Sequence, residues 1–201
     1  MPVSVLILGA NGQLARNTTR VLLARTDSRL TLYLRNAERL SNPDVTRVSI
    51  VEGDVLDVAS LRAAMQGQDV VYANLAGEMP RQASAIIDAM HATGVKRLIF
   101  ISSMGIYDEV PGERYRSVLD PYRDSSALIE QSDLDFTILR PAWFTTEPVI
   151  GYRITQKGER FDGREVSLDS LSDLIVKLIT NPGLQRRTSL GVSRGSDIPI
   201  L

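Results

Sequence analysis

The chain has 201 residues, 43% hydrophobic and 23% charged, a size and balance that suit one globular domain able to bury about 70% of its unfolded surface. It contains no cysteine, which excludes disulfides, thiolate metal sites and thiol nucleophiles and fits a reducing cytoplasm. A net charge of −1 argues against direct nucleic-acid binding. No apolar run approaches the roughly 18 residues of a membrane helix.

The first apolar run, residues 3–8, lacks a basic leader and stops at a glycine, so it reads as a strand and not a signal peptide. Its unbroken apolar character predicts a strand covered on both faces. Residues 12–25 place Leu14, Ala15, Val21 and Leu22 at helical spacing. Strands follow at 30–34 and 48–51, a helix at 58–65, a strand at 70–74, and a helix at 80–93 that Gly94 stops. A fifth strand at 97–101, a helix at 121–131 and a sixth strand at 136–139 continue the alternation. The last sixty residues hold a turn-rich stretch at 151–163, a helix at 168–180 and a short apolar run at 189–192. This order predicts an α/β protein with a doubly wound parallel sheet of the Rossmann type. We expect one domain over residues 1–201, with residues from about 141 onward forming a small lobe on the substrate side.

Gly9-Ala10-Asn11-Gly12-Gln13-Leu14-Ala15 joins the first predicted strand to the first helix. Gly9 suits the tight turn, and Gly12 leaves room for a pyrophosphate to approach the backbone. The helix behind them directs open N–H groups and its positive dipole end at a phosphate. Gly9, Asn11, Gly12, Gln13 and Leu14 are therefore expected to cradle a dinucleotide, with Ala15 small because the helix packs closely on the strand. The second strand ends at Leu34-Arg35-Asn36, where an NAD site commonly has an acid for the ribose 2′-hydroxyl. Arg35, with Arg39 as a helper, offers a guanidinium to a 2′-phosphate instead, so NADP(H) is favoured over NAD(H).

Together with Gly53-Asp54-Val55-Leu56-Asp57, Asn74-Leu75-Ala76-Gly77, Ile101-Ser102-Ser103-Met104-Gly105-Ile106-Tyr107 and Leu139-Arg140-Pro141-Ala142-Trp143, these residues resemble the atypical short-chain dehydrogenase/reductases. The likeness is greatest to their NmrA-like, NAD(P)H-binding branch and covers nearly the whole chain. It implies that Asp54 and Val55 meet the adenine, and that Asn74, Leu75 and Ala76 lie against the adenosine ribose and pyrophosphate. It further implies that Ser102 stands at the ligand edge of the fifth strand and that Pro141, Ala142, Trp143 and Phe144 border the nicotinamide.

The same resemblance implies a catalytic serine, a tyrosine and a lysine four residues after the tyrosine. Ser103 stands at the serine position, and Tyr122 at the tyrosine position, with Glu130 eight residues later. Ser126 occupies the lysine's place, and no lysine lies between Lys96 and Lys157. A phenol of pKa about 10 is a poor acid near neutrality without a cation beside it. Tyr107 and Tyr115 are weaker substitutes, and His91 is expected on a surface away from the strand ends.

Two functions stay open. One is an NADPH-dependent reductase of a flavin, quinone or similar conjugated acceptor, with Trp143, Phe144 and Tyr152 as a flat wall. The other is a non-catalytic NAD(P)-binding redox sensor with a protein partner. Sugar-nucleotide epimerase or dehydratase chemistry is disfavoured by the lost lysine and the short C-terminal lobe.

Overall fold

A computed structural model describes residues 2–194. Strand β1 (Ser4–Leu8) leads through helix α1 (Gln13–Arg25) to β2 (Arg29–Leu34) and β3 (Val48–Glu52). Helix α2 (Val58–Met65) precedes β4 (Val70–Ala73), α3 (Met79–Thr93) precedes β5 (Arg97–Ile101), and α4 (Asp120–Gln131) precedes β6 (Asp135–Pro141). The remainder is β7 (Trp143–Thr145), β8 (Arg153–Gln156), β9 (Glu165–Ser167), α5 (Leu168–Thr180) and β10 (Thr188–Ser193).

Eight strands form one sheet in the order β3-β2-β1-β4-β5-β6-β10-β8, parallel except for β8 at the edge. Side chains alternate between faces, as the period of two requires. Val5, Ile7, Leu30 and Leu32 face the layer of α1 and α5, whereas Leu6, Leu8, Tyr33 and Phe100 face α2, α3 and α4. Both faces are covered, which accounts for strands that are apolar on both sides.

Local chemistry sets the helix ends. The Asp57 carboxylate accepts from the Ala59 and Ser60 amides at the start of α2, and the Ser167 hydroxyl accepts from the Ser170 amide at the start of α5. Gly94 ends α3 at φ +77°, a left-handed conformation that costs glycine little.

Residues after 141 divide between two locations. Strands β7 and β9 pair as a small parallel sheet beside the main one. Strand β8, α5 and β10 instead join the main body, with β10 parallel to β6. The stretch 151–163, expected to be all turns, thus contains a strand. Only Thr155 of β8 is fully buried, so its four residues leave little hydrophobic alternation for a sequence reading to detect.

Candidate functional site

In a parallel sheet the carboxyl ends of the strands share one edge. The chain leaves β1 toward β2 and β3, then crosses back to β4 on the other side of β1. That reversal opens a crevice between the loops after β1 and β4, the place where such sheets bind ligands.

Gly9 stands in the crevice at φ +75°, and a Cβ there would lie 2.1 Å from the Asn74 carbonyl oxygen. Its amide donates to the Tyr33 carbonyl at 3.0 Å, tying the turn to β2. A Cβ on Gly12 would come within 2.6 Å of Asn74 Nδ2. The space at Gly12 expected to admit a phosphate is therefore already filled, in part, by the Asn74 side chain. Helix α1 starts with no side-chain cap and no acid in its first turn, so its leading amides remain available to an anion. Asn11 Oδ1 accepts from Arg16 Nε at 3.1 Å, and Arg16 Nη2 donates to the Arg39 carbonyl at 2.9 Å.

A cavity of about 420 Å³ fills this crevice. Gly9, Asn11, Gly12, Arg35, Arg39, Asp54, Val55, Asn74, Leu75 and Ala76 line it, so most of the expected nucleotide residues converge. Gln13 and Leu14 do not: Gln13 is exposed, and the Leu14 side chain is buried in the core. Their place in the first turn of α1 leaves only their amides to serve a phosphate.

Sequence reasoning missed Tyr33, Gly53 and Gln82, which also border the cavity. The Tyr33 hydroxyl donates to the Asp54 carbonyl at 2.9 Å, and burial raises its pKa. A Cβ on Gly53 would meet that hydroxyl at 2.3 Å, so β2 and the Asp54 loop are fitted to each other. Asp54 Oδ1 accepts from the Leu56 amide at 2.9 Å, which shapes the loop while the residue faces the cavity. Gln82 Oε1 is buried without a partner among the described residues. Glu52, at the end of β3, accepts from the Ala37 amide at 2.8 Å.

A second cavity, about 450 Å³ and lined mainly by apolar atoms, lies over the ends of β5 and β6. Ser102, Ser103, Tyr122, Pro141, Ala142, Trp143 and Phe144 border it. The loop 105–119 between β5 and α4 supplies Val110, Tyr115, Val118 and Leu119. The sequence left about 19 residues there without an element, a length that usually marks function.

Four expectations need correction or refinement here. Ser102, expected among the cofactor contacts, borders the second cavity together with Pro141, Ala142 and Trp143, and its hydroxyl is paired with the fully buried Ser126 hydroxyl at 2.9 Å. Tyr152, expected on the aromatic wall, borders neither of these two cavities; its hydroxyl donates to Asp173 at 3.1 Å on α5. Tyr107 has a hydroxyl bound to Glu130 at 2.8 Å and to Ser189 at 3.2 Å, and burial pushes its pKa up. Tyr115 donates to Asp120 at 2.7 Å. Tyr107 and Tyr115 are thus poorly placed to give up protons, whereas the Tyr122 hydroxyl has no partner among the described residues. His91 lies half exposed and pairs with Asp133 at 2.5 Å.

The loop over the second cavity is anchored from beneath. Arg140 on β6 and Glu109 form an ion pair with side chains 1% and 6% exposed. Glu109 also accepts from the amides of Gly105 at 3.1 Å and Tyr107 at 2.8 Å. Arg140 donates to the Ser189 hydroxyl at 3.1 Å and lies 5.0 Å from the Tyr107 ring centre.

A glycine-bearing turn, an uncapped helix and a crevice at the sheet's reversal define a Rossmann-type dinucleotide-binding protein. Residues 9–182 match the NAD(P)H-binding family model, and the chain belongs to that family, within the atypical short-chain dehydrogenase/reductases. A Rossmann-fold NAD(P)-binding family protein from Shigella flexneri is 40% identical over the full length of both chains, with a TM-score of 0.86. A short-chain dehydrogenase/reductase from Veillonella parvula, solved in complex with NADP, is 28% identical over both full lengths, with a TM-score of 0.89. Among curated relatives, an uncharacterized sugar epimerase of Bacillus subtilis is 24% identical over 74% of this chain and 76% of its own. Quinone oxidoreductase 2 of Escherichia coli is 23% identical over 70% of this chain, but the match spans only 49% of that protein. Among the described residues, no helix is long and apolar enough to cross a membrane.

Proposed function

We propose that this protein is an NADPH-dependent reductase of a flat, conjugated acceptor. The nucleotide lies in the crevice with its pyrophosphate against Gly9, Gly12 and the first amides of α1. Asp54 and Val55 take the adenine end, and Asn74, Leu75 and Ala76 lie along the ribose and pyrophosphate. The observation that carries the reading is the pair of arginines at the end of β2. Arg35 and Arg39 border the crevice, neither side chain has a partner among the described residues, and Glu52 is engaged by Ala37. A 2′-phosphate finds two guanidinium groups there. The NADP complex of the Veillonella relative supports this choice.

When bound, the nicotinamide supplies a hydride. Ser103, Tyr122 and the segment Pro141, Ala142 and Trp143 border the space beside it. Ser126 stands where a lysine would acidify Tyr122, and its hydroxyl is turned to Ser102. Tyr122 therefore shapes the cavity and orients the acceptor without acting as a strong acid. The chain suits acceptors that take hydride readily and collect their proton from water, such as quinones and flavins. The quinone oxidoreductase among its relatives agrees with that class.

Calorimetric titration with NADPH and NADH, followed by turnover assays on quinones and flavins, tests the proposal. We expect NADPH to bind at least about tenfold more tightly, equivalent to about 1.4 kcal/mol, and to be oxidised by at least one acceptor. Equal affinity for the two nucleotides would remove the NADPH assignment. Tight, redox-selective binding without turnover would replace the reductase by a sensor.

A further inference from the structure

The cavity beside the nucleotide crevice carries charge that hydride transfer does not require. Its wall is aromatic and aliphatic, with Tyr115, Tyr122, Trp143 and Phe144 among its members. On its border stand Arg114 and Arg116, both exposed, their side chains without a hydrogen bond or ion pair among the described residues. Neighbouring Arg123 differs: it pairs with Asp120 at 3.0 Å and Asp124 at 2.7 Å. The other charges on the cavity's border are Asp108 and Glu113.

The border of this cavity is balanced, two arginines against two carboxylates that likewise have no side-chain partner among the described residues, and the excess of positive charge lies farther out. Val110 also lines an adjacent groove of about 490 Å³ that is bordered by Arg160 and Arg164, with Arg153 paired to Asp162 at 3.0 Å. Across the two cavities, five arginines face three carboxylates, on a chain whose net charge is −1. The loop bearing Arg114 and Arg116 is also held at fixed points. Glu109 and Arg140 pin its start, and the Tyr115 hydroxyl, between the two arginines, is tied to Asp120.

Given the reductase proposed above, on which this inference rests, we infer that its acceptor is an anionic conjugated molecule. A planar body lies among the aromatic side chains, and a carboxylate or phosphate meets Arg114 and Arg116 at the mouth. Two guanidinium forks suit either oxyanion. Their exposure keeps the attraction modest and sensitive to salt. The groove beyond Val110 accepts a second acidic group on a longer molecule.

The chain's single tryptophan, Trp143, borders this cavity with 64% of its surface exposed, so its fluorescence reports occupancy. Two matched pairs serve as probes on NADP⁺-saturated protein: FMN against riboflavin, and anthraquinone-2-carboxylate against anthraquinone-2-carboxamide. We expect the charged member of at least one pair to quench Trp143 at about tenfold lower concentration than its neutral partner. The advantage shrinks as salt rises from about 50 to about 500 mM. It disappears in the Arg114→Ala/Arg116→Ala double variant, whose affinity for the neutral members is unchanged. A preference in the FMN pair alone identifies a phosphate, and one in the anthraquinone pair alone a carboxylate. Equal affinities in both pairs, a charge preference that survives the double substitution, or no quenching by any probe would overturn the inference. Calorimetry with NADPH on the same samples separates the two readings. Normal NADPH binding without a charge preference defeats only the anionic acceptor, whereas absent NADPH binding defeats the nucleotide assignment as well.

Discussion

The two cavities along the strand ends are built from different materials. The nucleotide crevice depends on backbone: two glycines pressed against Asn74, amides at the start of α1, and a tyrosine hydroxyl on a carbonyl. The second cavity depends on side chains, with a buried Arg140–Glu109 pair under a long loop and aromatic and charged groups around its mouth. Backbone suits a diphosphate, which presents the same group in every dinucleotide. Side chains suit an acceptor that differs from one protein to another.

Substitution of Arg140 should separate the halves most strongly. Arg140→Leu leaves Glu109 buried without its cation, and we expect a loss of about 3–5 kcal/mol in urea unfolding. NADPH affinity of the folded fraction should change little, because Arg140 borders neither Gly9 nor Arg35 in the crevice. A stability loss below about 1 kcal/mol would mean that the loop has another anchor.

Arg35→Ala probes the other half with a smaller effect. NADPH should bind more weakly by about 1.5–3 kcal/mol, the range of a hydrogen bond to a charged group, while NADH stays nearly unchanged. Calorimetry with both nucleotides reads the difference directly; an equal loss for both would place Arg35 away from the 2′-phosphate.

Acid sensitivity provides a milder test outside both cavities. Lys96 at 3.0 Å and His91 at 2.5 Å hold the Asp133 carboxyl at a pKa of about 2, below its usual 3.8. Because the folded pKa is the lower one, this pairing stabilises the protein above about pH 4 and is lost as pH falls toward 2. Tm measured through that window should fall less steeply for Asp133→Asn. The smallest change is expected from Tyr122→Phe, which should leave turnover within about twofold if water supplies the proton. A hundredfold loss would restore Tyr122 as the acid.

The distribution of sequence signals follows the same division. Strands covered on both faces are continuous apolar runs, and the turn at Gly9 needs positive φ, so both leave marks in a single sequence. Arg35 was recognisable because it ends a strand whose neighbours were already assigned. Gln82 was not, since it enters the crevice from a helix whose periodicity describes only the buried face. Tyr152 misled for a related reason: an aromatic residue shortly after Trp143 in the chain turns instead to Asp173 and Lys177. The contribution of β8 depended on its pairing with β10 more than 30 residues away, which no local pattern encodes.

Chain order also gives the two faces of the sheet different histories during synthesis. The layer of α2, α3 and α4, with its apolar cluster from Leu6 to Ile138, is complete once β6 has emerged. The opposite layer pairs α1 with α5, so Val5, Ile7, Leu32 and Tyr72 await residues 168–180 for their cover. A nascent chain halted near residue 150 therefore presents one finished surface and one that α1 covers only in part, a form prone to self-association and to capture by chaperones.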